Sequence, residues 1–225
     1  MEDEYKIEKW VWTEADFGQM GWHDCPVYAL RFEDDIYLDL DYILKWNHPG
    51  DSGMPYTFWM APATLVFEQP SYLKMEIEAG FINGFEIADI IKEKNGEGDT
   101  IWNIATQEGD IWIGAERFKQ ILRRPPSFQF GQSIAADERG GVSFALSSEK
   151  DYQPSAEILE KKAQVLQQYS LSEQRRSLAF EREQLNKGQL GTKLYLVMKR
   201  DLDKKIADID DALKGTRFEF RSKLN

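Results

Sequence analysis

Hydrophobic and polar positions in the first two thirds of the chain alternate with a period of two. VYALRF (27–32) and IYLDLDYILKW (36–46) are apolar runs separated by the acidic step EDD. YTFWMAPATLVFE (56–68) is aromatic and β-branched, and YLKMEIE (72–78) alternates apolar with charged residues. Such runs, bounded by turn residues, read as strands. FEIADIIKE (85–93) fits a strand or a helix. TIWNIATQEGDIWIGAERF (100–118) predicts two strands around QEGD, with Trp102 and Trp112 facing each other across the hairpin. SFQFGQSI and GVSFAL flank AADERGG, a second predicted hairpin. About eight strands with no helices between them predict an antiparallel sandwich or a barrel-like sheet.

After about residue 150 the period changes. Ser155 is placed to cap a helix starting at Ala156, just past Pro154. No Pro or Gly follows until after Asn186, and good helix formers dominate. Leu171, Leu178 and Leu185 recur every seven residues, but the seam between them is polar, which makes a poor coiled coil. NKGQLG breaks the pattern, and Met198, Leu202, Ile206, Ile209 and Leu213 then recur at three and four. KLYLVMK before this stripe and RFEFRSKL after it also fit strands. The predicted organisation is an antiparallel β domain over 1–150 and a helical pair over 151–225. The fold class is mainly β with a C-terminal α-helical appendage, α+β overall.

Charge sharpens that division. Residues 1–150 hold 27 acidic and 13 basic side chains, a net of −14, whereas 151–225 hold 12 and 15, a net of +3. All seven tryptophans lie in the first part. An acidic domain repels phosphate backbones, which argues against nucleic acid as its ligand, and it attracts a basic protein partner or a cation. The longest nearly uncharged apolar stretch, YTFWMAPATLVF, has twelve residues, too few to span a bilayer as a helix. MEDEYKIEKW lacks the apolar run of a secretory signal, so a cytoplasmic location is expected. Cys25 is the single cysteine, which excludes an internal disulfide. It is expected to be packed rather than to act as a nucleophile beside His23.

Candidate chemistry centres on the run after Glu33. In a strand, Ile36, Leu38, Leu40 and Tyr42 share one face, and Tyr37, Asp39, Asp41 and Ile43 share the other. The Cβ atoms of the two aspartates then sit about 6.5–7 Å apart. The expectation is that this face meets water. The alternative is a divalent metal ion held by His23, Asp24, Asp39 and Asp41, with His48 as a further imidazole. HPGDSGMP (48–55) looks like the nucleophile motif of chymotrypsin-like serine proteases, with Ser52 as nucleophile. His48 lies only four residues from Ser52, however, and the string is ordinary turn chemistry.

GWHDC, LDLDYILKW and APATLVFE together resemble small uncharacterised bacterial proteins that share W-H-D, L-D-x-D-Y-I-x-x-W and P-A-T-L-x-F strings. The resemblance covers the front part only. It implies a discrete domain through roughly residue 147 and brings no activity or cofactor with it. The expected function is therefore non-enzymatic: an interaction protein of inhibitor or immunity type, needing no cofactor. Trp22, Tyr37, Asp39, Asp41 and Trp46 would present an acidic, aromatic surface to a protein partner. Two alternatives are a metal-assisted hydrolase using the His/Asp set, and an assembly protein forming homo-oligomers through residues 155–215. A sugar-binding module is a further, less constrained reading.

Overall fold

The computed structural model describes residues 5–50, 53–78, 80, 84–188 and 191–221, and in it the alternating runs pair antiparallel. The chain divides into two compact units, one of Met1–His48 with Pro55–Pro154, the other of Pro49–Met54 with Ser155–Asn225.

The first unit contains, among the described residues, ten strands: β1 (Val11–Thr13), β2 (Cys25–Phe32), β3 (Ile36–Asn47), β4 (Thr57–Glu68), β5 (Tyr72–Ile77), β6 (Glu86–Lys94), β7 (Thr100–Thr106), β8 (Gly109–Gly114), β9 (Arg117–Leu122) and β10 (Ser127–Gln129). They form one antiparallel sheet in the order β1-β9-β4-β3-β2-β6-β7-β8-β5, with β10 added on β4. The sheet is not closed. Strand β2 is its pivot: Val27–Phe32 pair with β3, while Cys25 and Pro26 pair with β6, and the register slips at Tyr28. A bulge of this kind bends and twists a strand. The two halves therefore face each other like a sandwich. Trp102 of β7 meets Phe118 of β9 edge-on at 4.9 Å and Phe67 of β4 at 6.3 Å. Leu38, Leu40, Met60 and Leu65 complete the interior from one half, Ile104, Ile111 and Ile113 from the other.

Three local expectations change. The ambiguous run 85–93 is strand, because β2 and β7 flank it and supply ladder partners on both sides. Trp102 pairs with Ile113 and Trp112 with Asn103, so the two tryptophans lie on opposite faces. Only Gln107 and Glu108 lie between the paired Thr106 and Gly109, which sets that parity. The predicted second hairpin does not form. AADERGG instead makes one helical turn, α1 (Ala136–Arg139), and the segment after it crosses the sheet without joining it.

The second unit is a helical hairpin of α2 (Ala156–Lys187) and α3 (Thr192–Leu213). The Ser155 hydroxyl caps α2 by accepting from the amide of Ile158 at 3.3 Å. KLYLVMK belongs to α3, and the described part of RFEFRSKL is irregular. Leu202, Ile206, Ile209 and Leu213 of the predicted stripe are buried. Arg175 pairs with Asp210, and Arg182 with Asp203 at 3.1 Å, which fixes the antiparallel register of the two helices. Among the described residues, no helix is long and apolar enough to cross a membrane.

Candidate functional site

Strand β3 keeps the predicted parity but not the predicted exposure. Leu38 and Leu40 enter the main core, and Tyr37 packs on the opposite face with Val66 and Ile121, against Phe144. Asp39 and Asp41 lie on that second face and are 0% exposed. The expectation that they meet water is wrong because residues 130–148 lie across the face as a strap. Ile134 is buried there, the Thr64 hydroxyl donates to Ala145 O at 3.0 Å, and the Ser148 hydroxyl donates to Leu122 O at 2.7 Å.

The strap and the end of β9 bring two arginines to the two aspartates. Asp39 Oδ1 accepts from Arg123 Nη2 and from Arg139 Nη2, each at 2.6 Å. Its Oδ2 accepts from Arg139 Nη1 and from the amide of Ser143, each at 3.1 Å. Asp41 Oδ1 accepts from Arg139 Nε at 3.1 Å, and its Oδ2 accepts from the Tyr28 hydroxyl and the Ile134 amide, each at 2.7 Å. Arg123 also donates to Ser143 O, and Arg139 donates to Gly141 O. The Arg139 guanidinium lies 3.9 Å from the centre of the Tyr28 ring. Two negative and two positive charges are thus buried together, and both carboxylates have several donors. Buried charge is tolerated only under such pairing. Burial pushes the Asp41 carboxyl above its ordinary range, against the downward pull of Arg139, the Ile134 amide and Tyr28. Two consecutive left-handed glycines, Gly140 (φ 82°) and Gly141 (φ 72°), turn the chain directly after Arg139 and lead Ser143 back onto Asp39.

Other predicted site residues are placed elsewhere. Trp22 is core, its indole N–H donating to the buried Gln120 side chain at 2.8 Å. Tyr37 is core as well. Trp46 is half-buried, between Phe58 and the ring of His23. The five side chains expected to form one binding surface therefore do not form one. His23 Nδ1 lies 3.1 Å from Ala88 O and its Nε2 lies 3.6 Å from Asp24, whose other oxygen accepts from Gln132 at 2.6 Å. His48 stacks edge-on against Tyr56. His23 and Asp24 thus meet in a loop, while Asp39 and Asp41 are held by arginines, so the four are not gathered on one point. Among the described residues no group of three or more His, Cys, Asp and Glu is arranged to hold a metal ion. Ser52 lies outside the described residues.

Cys25 is completely buried, and burial pushes its thiol up to about 12. Only the thiolate is nucleophilic. The native protein is expected to leave Ellman's reagent unreacted at mildly alkaline pH, and to release one equivalent after denaturation. Reaction of the native thiol at the rate of a free one would show that the Cys25 site opens.

A second arrangement carries more accessible chemistry, and the sequence reading missed it. On the outer face of the β6-β7-β8-β5 half, Glu93, Ile101, Gly114 and Tyr72 form one cross-strand row, and Asn103, Trp112 and Lys74 form the next. A concavity of about 540 Å3 opens there, lined by Tyr72, Lys74, Trp112 and the charged β6–β7 turn. Gly114 is buried beneath this row, packed so closely that a Cβ there would lie 2.8 Å from that of Tyr72. The turn is held by Asn95, whose Oδ1 accepts the amides of Glu97 and Asp99 at 3.0 and 2.8 Å. The lysines are already engaged, Lys74 with Glu76 at 2.7 Å and over the Trp112 ring, Lys94 with Gly98 O at 3.0 Å. Glu93 and Glu97 make no ion pair among the described residues, so the unsatisfied charge of the groove is negative. The sequence signal was the even, ten-residue separation of Trp102 and Trp112, which a two-residue turn places on opposite faces.

The fold and these two sites define a class: a sandwich-like antiparallel β unit braced by a buried Asp/Arg cluster, followed by a helical hairpin. No family model matches the chain, and no curated protein or solved structure matches it either.

Proposed function

We propose that this is a non-enzymatic interaction protein, of inhibitor or immunity type, that binds a basic segment of a protein partner in the groove over Trp112. The observation that carries this reading is the groove itself: a half-buried indole, already beside one lysine, and an exposed tyrosine next to two uncommitted carboxylates, on a unit of strongly negative charge. A lysine or arginine side chain fits that chemistry, its cation near Glu93 and Glu97 and its stem or guanidinium over the ring. The acidic field would speed the encounter, and the aromatic pair would slow dissociation. The aspartates of β3 support the reading indirectly, because their pairing with Arg123 and Arg139 gives them a structural task.

The test is binding to immobilised Lys/Arg-rich peptides, with acidic peptides of equal length as control. Wild-type protein should bind the basic set, more weakly as salt is raised. Trp112→Ala should weaken binding by roughly thirtyfold, as loss of an aromatic anchor does. Glu93→Lys with Glu97→Lys should remove most of the salt dependence. Equal binding by wild type and Trp112→Ala, or equal retention of acidic and basic peptides, would refute the proposal.

A further inference from the structure

Strand β5 ends the sheet, pairing with β8 on one side only. Leu73 and Met75 face the same way as their partners Ile113 and Ile111, which are core residues. Leu73, Met75 and Ile77 are nevertheless 37–41% exposed. Among the described residues, the apolar inner layer thus runs out to an edge that no further strand pairs with. An edge of this kind presents free amides and carbonyls and invites another strand.

The ladder decides which backbone groups are free. Glu78 N donates to Glu108 O at 2.8 Å, and Lys74 and Glu76 stand opposite Trp112 and Asp110. Bonded and non-bonded pairs alternate along an antiparallel ladder. The backbone groups of Tyr72, Lys74 and Glu76 therefore turn toward β8, and those of Leu73, Met75 and Ile77 turn to the open edge. Among the described residues these three make no hydrogen bond outward.

We propose that β5 pairs antiparallel with β5 of a second copy of this chain, about a two-fold axis through Met75, joining the two β units into one continuous sheet. In this register the outward backbone groups of Leu73, Met75 and Ile77 bond those of Ile77, Met75 and Leu73 of the second copy. Leu73 lies opposite Ile77 on the inner face. On the outer face Lys74 lies opposite Glu76, twice over by symmetry. Moving the axis by one residue would set Lys74 opposite Lys74, or Glu76 opposite Glu76, and like charges directly opposite each other oppose pairing. The charges of YLKMEI thus select one occupant, its own copy, and one register. The inference does not depend on peptide binding: Tyr72 and Lys74 of β5 line that groove with their side chains on the outer face, whereas the proposed pairing is made by backbone groups along the free edge.

Sedimentation of the full chain over a range of concentrations tests it. The wild type should be a reversible dimer. Lys74→Glu and Glu76→Lys, each alone, should raise the dimer dissociation constant by roughly tenfold, because two symmetry-related pairs become repulsive. The double reversal, Lys74→Glu with Glu76→Lys, should restore the wild-type constant. Met75→Pro removes an amide that faces the free edge rather than β8, and should leave a folded monomer. A wild-type monomer at the highest soluble concentration would overturn the proposal and leave Lys74 and Glu76 as guards of an unpaired edge. A dimer indifferent to all four variants would place the contact elsewhere and overturn it equally.

Discussion

Arg139→Met should lower the unfolding free energy by about 3–5 kcal/mol, the cost of leaving buried charge without its partner. Asp41 would keep only the Tyr28 hydroxyl and the Ile134 amide, and Asp39 would keep Arg123 and the Ser143 amide. Tyr28 would also lose the guanidinium over its ring. Urea denaturation followed by circular dichroism measures the loss. A second variant separates lost pairing from lost packing: Arg139→Met with Asp41→Leu removes both members of a pair. It should be more stable than the sum of the two single losses predicts, because no orphan charge remains. Strict additivity in this cycle would mean that the two side chains do not interact, contrary to the geometry. The strap is the element at stake, since residues 130–148 contribute Arg139 and reach Asp39 and Asp41 through the amides of Ser143 and Ile134. Hydrogen exchange in that segment should rise more than in β4, whose ladder does not depend on the cluster.

Trp102→Ala is expected to cost about 3–5 kcal/mol, by the same measurement, because it empties the centre of the interface between the two halves of the sheet. The indole is fully buried, contacts Phe17, Phe67 and Phe118, and donates to Ala115 O at 2.9 Å. Collapse of the surroundings onto that space is opposed by two ladders that hold the backbones in place. Trp112→Ala, one hairpin position away on the opposite face, should stay within about 0.5 kcal/mol, as changes outside the core do. The contrast is the informative outcome. Similar losses for both tryptophans would mean that the outer face is a second core rather than a groove, and would remove the basis for peptide binding there.

How far the site was legible depended on one inference about faces. Alternation along β3 correctly set Asp39 and Asp41 opposite Leu38 and Leu40. What failed was the step from opposite face to wet face. Two signals argued against it. Tyr37 and Ile43 flank the aspartates on their own side, so that side is not a polar stripe. The neighbouring run TFWMAPATLVF has no charge on either parity, the pattern of a strand covered on both faces. Strand β4 is in fact buried along that whole run, and β3 lies beside it. Together they implied a cover over the aspartates, and buried carboxylates imply cations nearby. Arg123 and Arg139 had no such signal, since they lie 84 and 100 residues beyond Asp39.

The sequence by itself determined the local periods: strands where apolar positions recur every two residues, helices after Ser155, and the contrast of an acidic part with a weakly basic one. These follow from near-neighbour geometry, which a linear pattern encodes directly. Tertiary structure alone decided which carboxylates meet arginines, which tryptophan is core and which is accessible, and which strand is left at the edge. Those outcomes turn on one register, one two-residue turn and one strap. Their energies come from contacts between residues far apart in the chain, where shifting a strand by a single position exchanges the buried and the open face.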